Sequence, residues 1–227
     1  LGYYRVDVHG SLASVSETKL LVPNHVGAVE IFVLFGLAFP SFVSAIENTR
    51  LPFFGAICRV TDAILVDRSD PDSKRKTKSE ILQRVRDKDT KSQLMVFPEG
   101  TTVSQAALFQ FKRGVFEAGE PVQLVVRNFL LQHTRSSLCS HITQKQAFKM
   151  PYHSFNPSYT GQAVGGNETI DLLWRSACQF VQRMEVKFLP VYKPNEAERK
   201  DATLYANNMQ RLMASHLGMY FVCVQLV

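Results

Sequence analysis

At 227 residues, 45% of them hydrophobic and 20% charged, the chain can bury one sizeable core and is too apolar for a disordered tail or a fibrous repeat. Its formal charge of +6 favours an anionic partner, while neither a zinc-finger spacing nor interleaved basic and aromatic residues points to nucleic acid. The four cysteines, Cys58, Cys139, Cys178 and Cys223, form no C-x-x-C pair and read as free thiols of a reducing compartment.

In chain order, "RVDVHG" and "KLLVP" read as short strands, and the second runs through "NH" into a helix from about Val26, with Asn24 as a favourable cap. The apolar stretch Ile31 to Phe39 stops at Pro40 and falls short of the ~20 residues a bilayer span needs, so it reads as a core or interfacial helix. "SFVSA" and "DAILVD" follow as strands. "SDPDSKRKTKSEILQRVRDK" turns helical, with Ser69 or Asp70 as cap, Pro71 in the first turn, and Ile81, Leu82 and Val85 on one face. Its excess of basic residues reads either as a dock for anionic headgroups or as a solvated helix face. "QLMVF" and "PVQLVV" are further strands, and the alternation with helices argues for α/β layers.

Residues Ser136 to Gly166 read as irregular, with a strand at "AFKM". A helix at "ETIDLLWRSACQF", a strand at "MEVKFLPVY" and a final helix capped by Asp201 complete the domain.

Two polar constellations stand out of this apolar pattern. His25 and Glu30 are five apart and would point about 140° away from each other on one helix. They can meet only if His25 precedes the helix and Glu30 reaches back from its first turn. An ionised Glu30 would then fix one imidazole tautomer and leave the other nitrogen free to take a proton, although a first-turn carboxylate is also an ordinary response to the helix dipole. Farther on, "VFPEGTT" ends a strand at Pro98 and places Glu99 before the turn-forming Gly100, at a strand end where α/β folds bind ligands.

Taken together, "NHVGAVE" and "FPEGT" resemble the H-x-x-x-x-D and F-P-E-G-T motifs of the glycerolipid acyltransferase superfamily. "LPFFGAICRVTDAILVDR" is similar to the family's intermediate block, "FKRG" to its following basic segment and "EPVQLVV" to its proline-led fourth block, and the set covers most of residues 21–126. "EVKFLPVYKPNEAERKDATLYANNMQRLMASHLG" is similar to the segment after the catalytic core in lysophosphatidylcholine and lysophosphatidylethanolamine acyltransferases.

The resemblance implies an α/β fold with a mixed, largely parallel sheet flanked by helices and an active site at the strand ends. It also implies a single domain over 1–227, with catalytic blocks in 21–126 and a completion in 127–227. Leu1 at the start and the apolar run "MYFVCVQLV" at the end read as cuts through a longer membrane protein. The implied reaction moves an acyl group from acyl-coenzyme A to the free hydroxyl of a lysophospholipid. His25 would be the general base, Glu30 its orienter, and Arg68 the phosphate ligand. Glu99 with Gly100 and Thr101 would position the acceptor, and Lys112 and Arg113 would meet coenzyme A phosphates. No metal or other cofactor is expected, acyl-CoA being a co-substrate, and His9, His133, His141, His153 and His216 are given no role. The expected setting is a membrane surface of the endoplasmic reticulum or Golgi with the site facing the cytosol. Glu30 and Gly27 depart from the family's aspartate and small hydroxyl residue, so a degenerate lipid-binding relative is the alternative.

Overall fold

The computed structural model describes residues 3–25, 30–51, 53–67, 69–100, 108–129 and 182–218. Seven strands form one sheet in the order β1-β7-β6-β2-β5-β3-β4. They are β1 (Tyr3–His9), β2 (Leu20–Pro23), β3 (Ser41–Ala45), β4 (Ile64–Val66), β5 (Leu94–Met95), β6 (Val122–Phe129) and β7 (Gln182–Phe188). From β6 through β2, β5 and β3 to β4 every neighbour is parallel, whereas β7 runs antiparallel to β6 and parallel to β1. The sheet is therefore mixed and largely parallel, and the late strand β7 inserts between the first strand and the central ones.

Parallel strands covered on both faces read as continuous apolar runs rather than as alternating ones, and β2 obeys this with all four residues buried. Successive side chains still alternate between faces. Leu20, Val22, Leu94, Leu124 and Val126 join the side covered by α3 (Ser73–Arg86) and α5 (Ala202–Leu217), where Ile81, Val85, Tyr205, Met209 and Met213 meet them. Leu21, Met95 and Val125 join the opposite side, under α1 (Glu30–Ala38) and α2 (Phe54–Val60), with Leu34, Phe42, Phe54 and Cys58. Tyr205 is fully buried, and its hydroxyl donates to the Glu120 carbonyl at 3.0 Å. Burial of a side chain of this size contributes on the order of 1.5–3 kcal/mol.

Helix starts show where local chemistry was readable. Asp201 caps α5 as expected, accepting the N–H groups of Thr203 and Leu204 at 2.8 and 3.2 Å, and Gly218 ends the helix at φ +63. Just before it, α4 (Glu196–Lys200) carries a reciprocal capping box between Asn195 and Glu198. Helix α3 differs from its expectation. Its N-cap is Asp72, without a side-chain cap bond, so Pro71 precedes the helix. Asp70 instead accepts the Asp72 N–H at 2.9 Å and pairs with Lys76 at 2.7 Å. Ser69 donates its N–H and hydroxyl to Asp67.

Several cations of α3 pair within the protein: Arg84 lies 2.9 Å from Asp62 and 3.2 Å from Glu80, and Lys78 pairs with Glu117. The strand expected over "QLMVF" is assigned only to Leu94–Met95, although Val96 still donates its N–H to the Leu21 carbonyl at 3.0 Å before the turn at Pro98. Cys58 is a buried free thiol. The expected strand at "AFKM", the helix at "ETIDLLWRSACQF" and the irregular stretch before it lie outside the described residues. Among the described residues no helix is long and apolar enough to cross a membrane.

Candidate active site

Strands β2 and β5 are parallel neighbours, so His25, just after β2, and Glu99, just after β5, emerge at the same carboxyl edge of the sheet. Ligands of open α/β sheets bind outside that edge.

Asn24 fixes the exit of β2. Beyond the last residue of β2 the Asn24 side chain continues the tie to β6. Its amide donates to the Arg127 carbonyl at 3.0 Å, and its oxygen accepts the Arg127 N–H at 2.8 Å. Asn24 is 2% exposed and serves as a cross-strand tie, which corrects its reading as a helix cap.

His25 follows with its backbone N–H donated to Glu99 Oε1 at 3.0 Å. Its ring lies on Phe97, with centroids 4.2 Å apart and planes 27° from parallel. The fully buried Arg127 places its guanidinium carbon 5.4 Å from the same Phe97 ring. The imidazole is thereby seated on an apolar ring flanked by a buried cation, at the mouth of the sheet rather than in its core.

Glu99 is 4% exposed. Oε1 holds His25, and Oε2 accepts the Phe109 N–H at 3.1 Å, so one carboxylate joins the loops after β2 and β5 to the segment leading into "FKRG". Gly100 closes the turn with φ +68 and donates its N–H to the Phe97 carbonyl at 3.2 Å. A β-carbon here would lie 2.2 Å from Lys112 Nζ, because the Lys112 chain crosses directly over the glycine. The Lys112 N–H in turn donates to the Pro98 carbonyl at 2.8 Å.

The structure thus joins His25, Glu99, Gly100 and Lys112, and it separates Lys112 from its neighbour. Arg113 opens a short 3-10 helix (Arg113–Ala118), is 72% exposed at its side chain and faces Glu117 at 3.9 Å. It lines a surface hollow with Arg199, Lys200 and Asp201 instead. Adjacent residues at the start of a helical turn diverge, so the pair expected to act together does not. Glu30 is the first residue of α1, with His25 ahead of the helix, which is the chain order a meeting of the two requires. The Glu30 side chain, Gly27, Arg68 and Thr101 lie outside the described residues. Sequence reasoning missed Phe97 and Arg127. The arginine that follows the apolar run "PVQLVV" was the available signal, since a charge within a buried strand needs a reason.

A mixed, largely parallel sheet that presents a histidine and a glutamate from adjacent strand ends defines the class as an α/β fold with a candidate site at the carboxyl edge. The solved PlsC of Thermotoga maritima, a 1-acyl-sn-glycerophosphate acyltransferase, shares the fold with a TM-score of 0.50 at 16% identity, over 93% of this chain and 73% of that one. The acyltransferase family model matches residues 5–127, and the chain belongs to that family. Among curated relatives, lysophospholipid acyltransferase LPCAT4 of Mus musculus is 37% identical over 219 residues, 96% of this chain and 37% of that protein. Lysophosphatidylcholine acyltransferase 1 of Homo sapiens is 32% identical over 217 residues, 96% of this chain and 36% of that protein. The lysophosphatidylcholine acyltransferase of Drosophila melanogaster is 34% identical over 217 residues, 95% of this chain and 36% of that protein. The chain spans little more than a third of the length of these relatives.

Proposed function

We propose that the chain transfers a fatty acyl group from acyl-coenzyme A to the free hydroxyl of a lysophospholipid, with His25 as the general base. The observation that carries this reading is the seat of His25: its backbone is held by a buried carboxylate, its ring rests on Phe97, and it stands at the ligand-binding edge. The names of the curated relatives support a lysophospholipid as acceptor.

In this reaction the imidazole takes the hydroxyl proton as the oxygen attacks the thioester carbonyl. The tetrahedral oxyanion then collapses, the carbon–sulfur bond breaks, and coenzyme A leaves as a thiol once the imidazolium returns the proton. Glu30 balances the imidazolium charge in the transition state, as a carboxylate does behind the histidine of serine hydrolases, although here no serine and no acyl-enzyme are needed. Backbone amides near the helix start favour the oxyanion.

Arg68 holds the lysolipid phosphate through a planar guanidinium suited to bidentate contact. Glu99 acts by fixing the His25 backbone, Gly100 and Thr101 shape the turn beside it, and Lys112, lying over Gly100, is the cation placed to meet a coenzyme A phosphate. The acceptor and the long-chain donor put the reaction at a membrane surface, of the endoplasmic reticulum or Golgi, with the site on the cytosolic side.

The test is release of free thiol from acyl-CoA in the presence of a panel of lysolipids. Release that depends on one or more lysolipids is expected. Vesicle binding without thiol release from any pair would favour a lipid-binding relative, a reading to which the glutamate at position 30 and the glycine at position 27 lend their weight.

A further inference from the structure

Two phenylalanines adopt backbone conformations that a side chain with a β-carbon rarely takes, and both show their rings to solvent. Phe53 has φ +65 and is 85% exposed, and Phe39 has φ +43 and is 60% exposed. A bulky residue at positive φ is an outlier, and such strain persists where the surroundings or the function require it. Burial rewards them little: Phe39 keeps one edge-on contact, to Phe35 at 5.6 Å, and Phe53 is almost wholly exposed. Phe53 is the N-cap of α2, and Phe39 is the residue after α1. Both helices cover the same sheet face, and their inner rings meet edge-on between Phe32 and Phe54 at 6.2 Å. Val60, 71% exposed, extends the apolar surface on α2, and Leu37, 37% exposed, extends it on α1.

We propose that this α1–α2 layer is the face with which the protein lies on a phospholipid bilayer, Phe39 and Phe53 entering the acyl boundary. The inference rests on the reaction proposed above, whose acceptor and donor reside in membranes. Three observations select a bilayer as the occupant. Among the described side chains from Ile31 to Val60 the charged ones are Glu47, Arg50 and Arg59, all exposed, and Asp62 just beyond α2 is paired with Arg84 at 2.9 Å, which leaves the described part of this layer with a net positive charge. Phosphate headgroups complement that balance. Helix α1 has nine residues, about 13.5 Å at 1.5 Å each, so it can lie in the interface but cannot cross it. Phe53 also stands at the same edge of the sheet as His25, because β3, which leads toward it, runs parallel with β2 and β5. A lysolipid leaving the bilayer beside Phe53 therefore arrives at the ligand-binding edge. The basic helix α3, by contrast, covers the other sheet face and has given several of its cations to internal partners.

The test is co-sedimentation of the full chain with phosphatidylcholine vesicles, with and without added phosphatidylserine. Phe39→Gly combined with Phe53→Gly keeps both backbone conformations without strain, so the variant is expected to melt no lower than the original chain. Its vesicle affinity is expected to fall tenfold or more, since each ring removed takes a large apolar surface out of the membrane. Arg50→Gln with Arg59→Gln is expected to weaken binding chiefly to the phosphatidylserine vesicles and chiefly at low salt. Unchanged vesicle binding by the double glycine variant overturns the proposal, as does a glycine variant that only shifts the mass in solution, which would make the face a contact between copies. Binding requires no turnover. A chain that binds through these residues yet releases no thiol supports the docking face and refutes the reaction.

Discussion

Glu99 Oε1 lies 3.0 Å from the backbone nitrogen of His25, and its Oε2 lies 3.1 Å from that of Phe109. A buried carboxylate is thus used as a double acceptor for main-chain donors, and the position of the histidine depends on a residue 74 positions away.

Glu99→Gln separates this positioning from mere filling of space. The amide keeps one acceptor but turns a donor toward the second N–H, leaving a buried group unsatisfied at about 1–3 kcal/mol. In a chain of this length each kcal/mol lowers the melting temperature by roughly 2–4 °C. Thermal melting is expected to show that fall and steady-state kinetics a lower kcat, as His25 shifts. A variant with the original melting temperature and kcat would mean that the two bonds position nothing.

The crossing of Lys112 over Gly100 calls for a double-mutant cycle. Gly100→Ala introduces a β-carbon 2.2 Å from Lys112 Nζ at a φ of +68. Strain there is roughly 1–2 kcal/mol, and the flexible lysine end must also move. Lys112→Ala is expected to raise the KM for acyl-CoA by about tenfold, the size of one charge-assisted contact to phosphate. Gly100→Ala should raise it similarly through displacement of the lysine, and in the Lys112→Ala background it should add only the loss of stability. Additive effects on KM would dissociate the two residues.

Asn24 shows both the reach and the limit of the sequence. Strands β1 to β4 and β6 to β7 fall where apolar runs bounded by turn residues put them, and "NH" and "FPEG" mark the two strand ends of the candidate site. The partner of Asn24, however, is Arg127, 103 residues later. Nothing local separates such a tie from a helix cap, because both use the same short amide. Helix α2 was not legible because its seven residues are too few for a periodic signal and its start, Phe53, is in a conformation that the residue type does not favour. Lys112 and Arg113 look equivalent in "FKRG", and only the turn geometry tells them apart.

Glu198 links pH to stability outside the site. Burial works against its charge, but hydrogen bonds from Asn208, the Asn195 N–H and Tyr192 together outweigh it and hold the carboxyl below the usual range. Burial and the nearby Glu198 carboxylate push Tyr192 up to about 12. A depressed acid stabilises the fold above its unfolded value and loses that contribution as pH falls through the folded one; a raised tyrosine contributes below about 10 and loses its share as pH climbs toward about 12. Glu198→Gln is therefore expected to melt lower than the original chain at pH 7, with the gap narrowing as pH drops below about 4. Melting curves across pH check this, and a gap that is constant with pH would contradict it.

Acyl-CoA consumption by purified, folded variants with the preferred lysolipid tests the role of His25 as general base most directly. His25→Ala is expected to reduce turnover to background, Glu30→Gln to cost several orders of magnitude through loss of the imidazolium's counter-charge, and Glu30→Asp to retain most of the rate or exceed it. Turnover by His25→Ala close to that of the original chain, with circular dichroism showing both equally folded, would contradict the assignment of His25 as the base.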